Sequence, residues 1–233
     1  MAFDERRVLA SPTGAKLNFL VKKAAKPARG VVQINHGLAE HAGRYARFAD
    51  HLTAHRFHVY AHDHRGHGGT TAPDASTGMF ARGNGAQKVI ADVLAVHDLI
   101  AGEHPGLPVI VFGQVRGVRS ARDGAGRYSG RVAAAAIWNA DPGAGMAQHA
   151  APLLLLWERF RLGSDVPSRL LPKLTFQAWG RQVQNRRTEF DWLSRDPAEV
   201  DAYIDDPFCG WDASVSMWRD IFDLIFTGAD DRN

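Results

Sequence analysis

Apolar positions along the chain change period several times, and each change predicts an element. Residues 7–10 and 16–22 read as extended segments. Between them Ser11-Pro12-Thr13-Gly14 places Pro and Gly where a turn wants them, which predicts an opening hairpin. Val31-Val32-Gln33-Ile34-Asn35 is a β-rich run. Over 44–55 the apolar residues Tyr45, Phe48, Ala49 and Leu52 share one helical face. Phe57-His58-Val59-Tyr60-Ala61 is the next predicted strand. The clearest helix is 87–101, where Val89, Val93, Val96 and Ile100 recur at helical spacing. Pro108-Val109-Ile110-Val111-Phe112 and Val132 to Trp138 are two further strands. Strands alternating with helices predict parallel β-α-β units in an α/β sheet of about six strands covered on both faces.

The texture changes after Asp141-Pro142. Residues 151–225 are helical in pattern and hold Trp157, Trp179, Trp192, Trp211 and Trp218, five of the six tryptophans. Pro167, Pro172, Pro197 and Pro207 divide the stretch into short helices. The expected division is a core over 1–140 and a helical cap over 141–233, with no later strand. The tryptophans are expected either to line an apolar ligand site or to form the core of the cap.

Composition narrows the function classes. With 45% hydrophobic and 23% charged residues the chain is in the globular range, and 28 Lys+Arg against 25 Asp+Glu leave only +3. No nucleic-acid partner is expected from so small and dispersed a charge. One cysteine, Cys209, forms no intrachain disulfide. The first residues lack a signal-peptide pattern. The longest apolar run, near Leu153 to Trp157, is far below the roughly 20 residues of a membrane span. A cytoplasmic protein without a transmembrane segment is the expectation.

Three loops follow three predicted strands, where open α/β sheets bind ligands. They are Asn35-His36-Gly37-Leu38-Ala39-Glu40-His41-Ala42-Gly43-Arg44-Tyr45, His62-Asp63-His64-Arg65-Gly66-His67-Gly68, and Gly113-Gln114-Val115-Arg116-Gly117. The first, His-Gly-x-x-Glu-His-x-x-Arg-Tyr, resembles the oxyanion loop of monoacylglycerol lipases and related lysophospholipases. The second is similar to the Asp-x-x-Gly-His-Gly loop of the same family, one strand later. The resemblance runs from about residue 5 to about residue 225. It implies an α/β-hydrolase fold, here incomplete, with a helical cap. It further implies hydrolysis of a carboxylic ester of a monoacylglycerol or lysophospholipid through an acyl-serine, without a cofactor.

In that family the third loop is Gly-x-Ser-x-Gly, with the serine on a sharp strand-to-helix turn. Carried over, the backbone N–H groups of Leu38 and Arg116 supply the oxyanion hole. The flanking glycines are Gly113 and Gly117, and the nucleophile position is Val115. Valine has no lone pair to attack a carbonyl and no proton to give a base. The segment after it, with Arg119, Arg122, Arg127, Gly124 and Gly126, is a poor buried helix. Its bias, and the return of a good strand at 132, suggest that 114–129 is an out-of-frame translation between two compensating frameshifts, which gene sequencing decides. The family's triad histidine follows the cap. The last histidine here is His149, and the acid and base strands are also missing, so the chain is expected to be inactive as written.

Single residues admit other readings. His36 is either a base or a loop residue shaping the oxyanion turn. Ser120 and Cys209 are weak candidate nucleophiles. Asp63 and Arg65 are expected to pair within their loop. His62-x-His64-x-x-His67 has the spacing of a zinc loop in metallo-β-lactamase-like hydrolases, with water as nucleophile, although Gly66 stands where that loop has Asp. A third class is a non-catalytic acyl-lipid-binding module. Peripheral membrane contact through the cap is a further expectation, as is self-association along the apolar edge at 132–138.

Overall fold

The computed structural model describes residues 2–114, 132–138 and 147–227. Six strands form one sheet: β1 (Glu5–Ala10), β2 (Lys16–Lys22), β3 (Gly30–Asn35), β4 (Phe57–His62), β5 (Val109–Gln114) and β6 (Ala134–Trp138). Their order is β1-β2-β4-β3-β5-β6. The β1–β2 and β2–β4 pairs are antiparallel, and β4, β3, β5 and β6 run parallel. The opening hairpin closes as expected: Gly14 takes φ +84° and its N–H donates to the Ser11 carbonyl at 3.0 Å.

The helices cover both faces. α1 (Ala46–Ala54) and the 3-10 turn Ala42–Tyr45 pack on the face of Leu20, Val32, Ile34, Val59 and Ala61. α2 (Gly85–Glu103) packs on the other, with Val96 and Ile100 against Leu17, Phe19, Val31 and Tyr60. β3 is buried at every position, as a strand sandwiched between two helical layers must be. The single helix expected over 44–55 is split, because the His41 side chain accepts the Gly43 N–H and starts a tight turn before α1.

The cap comprises α3 (Ala147–Leu162), α4 (Leu171–Leu174), α5 (Phe176–Gly180), α6 (Pro197–Ile204) and α7 (Val215–Thr227). Asp196 caps α6 by accepting the Ala198 N–H at 3.0 Å, with Pro197 at its first position. α7 packs on α2 and α3, burying Met217, Trp218, Ile221 and Leu224 against Phe80, Val89, Val93 and Leu155. Each such side chain contributes about 1.5–3 kcal/mol on burial. The exposed Arg47–Glu199 pair, which also joins cap to core at 2.7 Å, is worth at most about 1 kcal/mol. Apolar packing therefore holds the cap on.

The tryptophans differ in burial. Trp218 is in the core, Trp192 stacks on Phe176 at 5.4 Å, and Trp157 and Trp179 are about half exposed. Among the described residues β6 has no strand on its outer side, and residues 133–136 are exposed. No described helix is long and apolar enough to cross a membrane.

Candidate active site

Register places the site. Asn35 at the end of β3 lies opposite His62 of β4 and Gly113 of β5. The three loops therefore leave the sheet at one level, on the carboxyl edge of the parallel strands. Gly113 is buried in β5, while Val115, Arg116, Gly117 and Ser120, with the segment 115–129, lie outside the described residues.

Asp63 ties the first two loops together. Its Oδ1 accepts the Ala42 N–H at 2.8 Å, and its Oδ2 accepts Asn18 Nδ2 and the Gly69 N–H, each at 2.7 Å. Gly68 takes φ +47°, and a Cβ there would sit 2.3 Å from Asp63 Oδ2. Gly66 is equally constrained, at φ +73° with a Cβ 2.3 Å from the Met79 carbonyl oxygen. The two glycines of the second loop are thus fixed by close approach as well as by backbone angle.

Asp63 and Arg65 do not pair with each other. Arg65 is fully buried and its Nε donates to Asp92 at 3.0 Å, with Asp74 at 3.6 Å. Asp92 also accepts from Thr13 at 2.5 Å and from Ser11. Arg65 therefore fastens the second loop to α2 and to the opening hairpin. The loop turns Asp63 toward N–H donors and Arg65 toward the Asp92 and Asp74 carboxylates, which offset its burial.

His36 is a structural residue. Its Nδ1 donates to the Gly37 carbonyl at 2.7 Å and its Nε2 accepts the His64 N–H at 2.9 Å, so both nitrogens are engaged and the ring is neutral. Its ring lies 4.5 Å from that of His64 and 4.9 Å from that of His67. Burial lowers the pKa of all four histidines here, His36, His62, His64 and His67, and takes His62 down to about 3.

The zinc reading is corrected by this packing. The nitrogens of His62, His64 and His67 do not gather within 4.8 Å of one another, and the His64 and His67 rings are 6.3 Å apart. The loop wraps around His36, and His67 turns its Nδ1 to the Arg65 carbonyl at 3.1 Å. Three imidazoles on one ion would need a shared centre about 2.0–2.1 Å from each nitrogen.

The first loop is held from three sides. Glu40 Oε1 accepts the Gly37 N–H at 2.6 Å and the Tyr45 hydroxyl at 2.8 Å, and Glu40 Oε2 pairs with Arg44 Nε at 3.3 Å. Burial, then Glu40, raises the Tyr45 pKa, so the hydroxyl stays a donor. Ala39 takes φ +55°, and its carbonyl accepts the Tyr203 hydroxyl at 2.9 Å and the Gly210 N–H at 3.1 Å. His41 Nε2 donates to Asp206 at 2.7 Å. Among the described residues the Leu38 N–H has no acceptor, although the Gly37 N–H beside it has one. Leu38 lines a small apolar cavity of about 20 Å³ with Gly37, His67, Phe80, Ile221 and Leu224.

Sequence reasoning missed Asn18, Asp92, Tyr203, Asp206 and Gly210 as supports of these loops. All are distant in sequence and carry no spacing signal. Cys209, beside Asp206, is pushed up to about 12 by burial and by that carboxylate, so it is a neutral thiol and no nucleophile.

A family model for the serine aminopeptidase S33 hydrolases matches residues 26–228. The monoacylglycerol lipase of Mycolicibacterium smegmatis is 34% identical over 179 residues, which are 77% of this chain and 56% of that protein. Human monoglyceride lipase is 28% identical over 183 residues, 77% of this chain and 52% of that protein. The chain thus spans about half the length of the curated relatives it matches. A thermostable carboxyl esterase from Bacillus coagulans, solved in complex with glycerol, superposes with a TM-score of 0.79 at 22% identity, covering 97% of this chain and 73% of that one. That likeness carries the fold, and the matched span runs from just before β3 to the end of α7. The chain belongs to the serine aminopeptidase S33 family of α/β-hydrolases, with the monoacylglycerol lipases among its relatives.

Proposed function

We propose that this chain binds a long-chain carboxylic ester, a monoacylglycerol or lysophospholipid, with the ester carbonyl at the Leu38 N–H. We propose further that residues 1–233 by themselves do not turn it over. The observation that carries the first part is the Leu38 N–H: it stands without an acceptor among the described residues, at the carboxyl edge of the sheet, on a loop whose Gly37 N–H, Ala39 carbonyl and Glu40 carboxylate are all paired. A pre-aimed donor of this kind stabilises charge developing on a carbonyl oxygen. The names of the curated relatives support the substrate class. The second part follows from Val115 and from the lack of any histidine after His149 in these 233 residues.

The cavity at Leu38 holds about one water-sized sphere. An acyl chain enters it only when Phe80, Ile221 and Leu224 part, so binding is expected to be slow and to involve α7. The larger groove, about 570 Å³, lies between Leu162, Val166, Pro172 and Gln177, and none of the described residues of the three loops lines it. Delivery of the lipid fits α3, which exposes Leu153, Leu156, Trp157 and Phe160 along one face, Phe160 at 90%. Arg159 and Arg161 lie in the last turn of the same helix. That combination suits peripheral contact with an anionic lipid surface.

The test is turnover of a short-chain acyl ester by purified 1–233 against a heat-killed control, alongside titration with a fluorescent monoacylglycerol. Binding without turnover is expected. Clear turnover refutes the inactivity, and absence of saturable binding refutes the ligand.

A further inference from the structure

We propose that His41, Asp206 and Cys209 form a binding site for a divalent cation of the zinc type at the junction of the first loop and the cap. One donor atom from each lies within 4.8 Å of the other two. Ligands of a tetrahedral zinc stand about 3.3–3.8 Å apart, given bonds of about 2.0–2.3 Å. Rotamer changes that move these atoms by about 1 Å therefore suffice. A nitrogen, a carboxylate oxygen and a sulfur are a donor set for zinc rather than for magnesium or calcium.

The surroundings hold the donors in place. The Cys209 N–H donates to the Asp206 carbonyl at 2.9 Å, and the Phe208 N–H donates to Asp206 Oδ1 at 2.9 Å, while Oδ2 faces His41 Nε2 at 2.7 Å, the contact that a shared ion would replace. The bonds from Tyr203 and Gly210 to the Ala39 carbonyl fix the gap between the two segments. His41 and Asp206 are only partly buried, so the site is reachable from solvent.

Charge fits as well. Asp206 with a Cys209 thiolate carries two negative charges, matching a divalent ion. The other charged groups facing the site are Glu40 and Arg44; Arg44 pairs with Glu40 at 3.3 Å and also reaches Cys209, a contact that a bound ion displaces. His41 ligates through Nε2 by moving its ring proton to Nδ1, which exchanges both its 2.7 Å bond to Asp206 and the 3.2 Å bond from Gly43 for the metal bond. A bound ion would cross-link the cap to the loop three residues from Leu38.

Cobalt reports the site directly, independently of ester binding. Untagged, reduced 1–233 is titrated with Co²⁺ and then with Zn²⁺. Because Cys209 is the chain's one cysteine, any thiolate-to-cobalt charge-transfer band belongs to it. The expected result is a saturable one-equivalent band that Zn²⁺ abolishes, that disappears in Cys209→Ser, and that needs at least about tenfold more metal in His41→Gln and Asp206→Asn. Protection of the Cys209 thiol from alkylation by Zn²⁺ in the unmutated chain gives the same answer if a variant fails to fold. No band and no protection overturn the proposal. So does a band that His41→Gln and Asp206→Asn leave unchanged, and so does binding undiminished in Cys209→Ser.

Discussion

Replacing Asp63 with Asn tests whether one carboxylate holds the two loops in register. Asp63 is buried, and its two oxygens accept three N–H groups, from Ala42, Asn18 and Gly69. An amide can keep its oxygen toward Asn18 and Gly69 only by aiming its NH₂ at the Ala42 N–H. One hydrogen bond to a charged acceptor is lost, worth about 1.5–3 kcal/mol, and two buried donors then face each other at a further cost of about 1–3 kcal/mol. A loss of about 4 kcal/mol is the central expectation. For a chain of this size each kcal/mol moves Tm by about 2–4 °C, so Asp63→Asn should melt about 8–16 °C lower. Asn18→Ala removes one of the three donors and should cost less than Asp63→Asn. Thermal unfolding followed by circular dichroism measures both. An Asp63→Asn protein melting within about 4 °C of the parent, or no worse than Asn18→Ala, would show that the three bonds do not act as a staple.

Three further outcomes follow from the same geometry. Gly68→Ala should destabilise far more than Gly14→Ala in urea unfolding: both have positive φ, for which an L-residue pays about 1–2 kcal/mol, but only at Gly68 does a Cβ meet a carboxylate. Equal costs would refute the contact. Stability should fall as pH drops below about 6.5, because the unfolded chain takes up protons on His36, His62, His64 and His67 that the folded chain refuses, at about 1.4 kcal/mol per pH unit for each. Their stabilisation is fully present above that pH, and a flat profile from pH 7.5 to pH 5 would contradict their burial as neutral rings. The exposed outer edge of β6 should make the chain self-associate, and Ala135→Lys should reduce that association in sedimentation velocity; a monodisperse unsubstituted monomer counts against it.

The alternation of β-rich runs with helical faces foretold the architecture, because burial of each strand and of the α2 stripe is a local periodic property. Val89, Val93, Val96 and Ile100 are all buried where the helical repeat puts them. The two loop motifs likewise pointed to the family and to the carboxyl edge of the sheet. The zinc spacing of His62, His64 and His67 misled, because spacing along a chain does not say which way side chains turn. His36, 28 residues before His64, enters the middle of that loop and takes the His64 backbone N–H.

By itself, then, the sequence determined the class of fold and the family, and it proposed the loops of the site and Val115 as the position matching the family's nucleophile. Periodicity, turn chemistry and valine's lack of a nucleophilic atom are properties of the chain alone. Only the tertiary structure decided what each polar group of those loops does. Asp63 accepts N–H groups instead of pairing with Arg65, Arg65 goes to Asp92, and the cap's Tyr203, Asp206 and Gly210 clamp the first loop. The physical reason is that a buried charge or backbone group takes whatever partner packing brings within about 3 Å. Apart from Gly69 and Asp74, the partners of these groups come from segments 21 to 171 residues away, a separation to which no local pattern is sensitive.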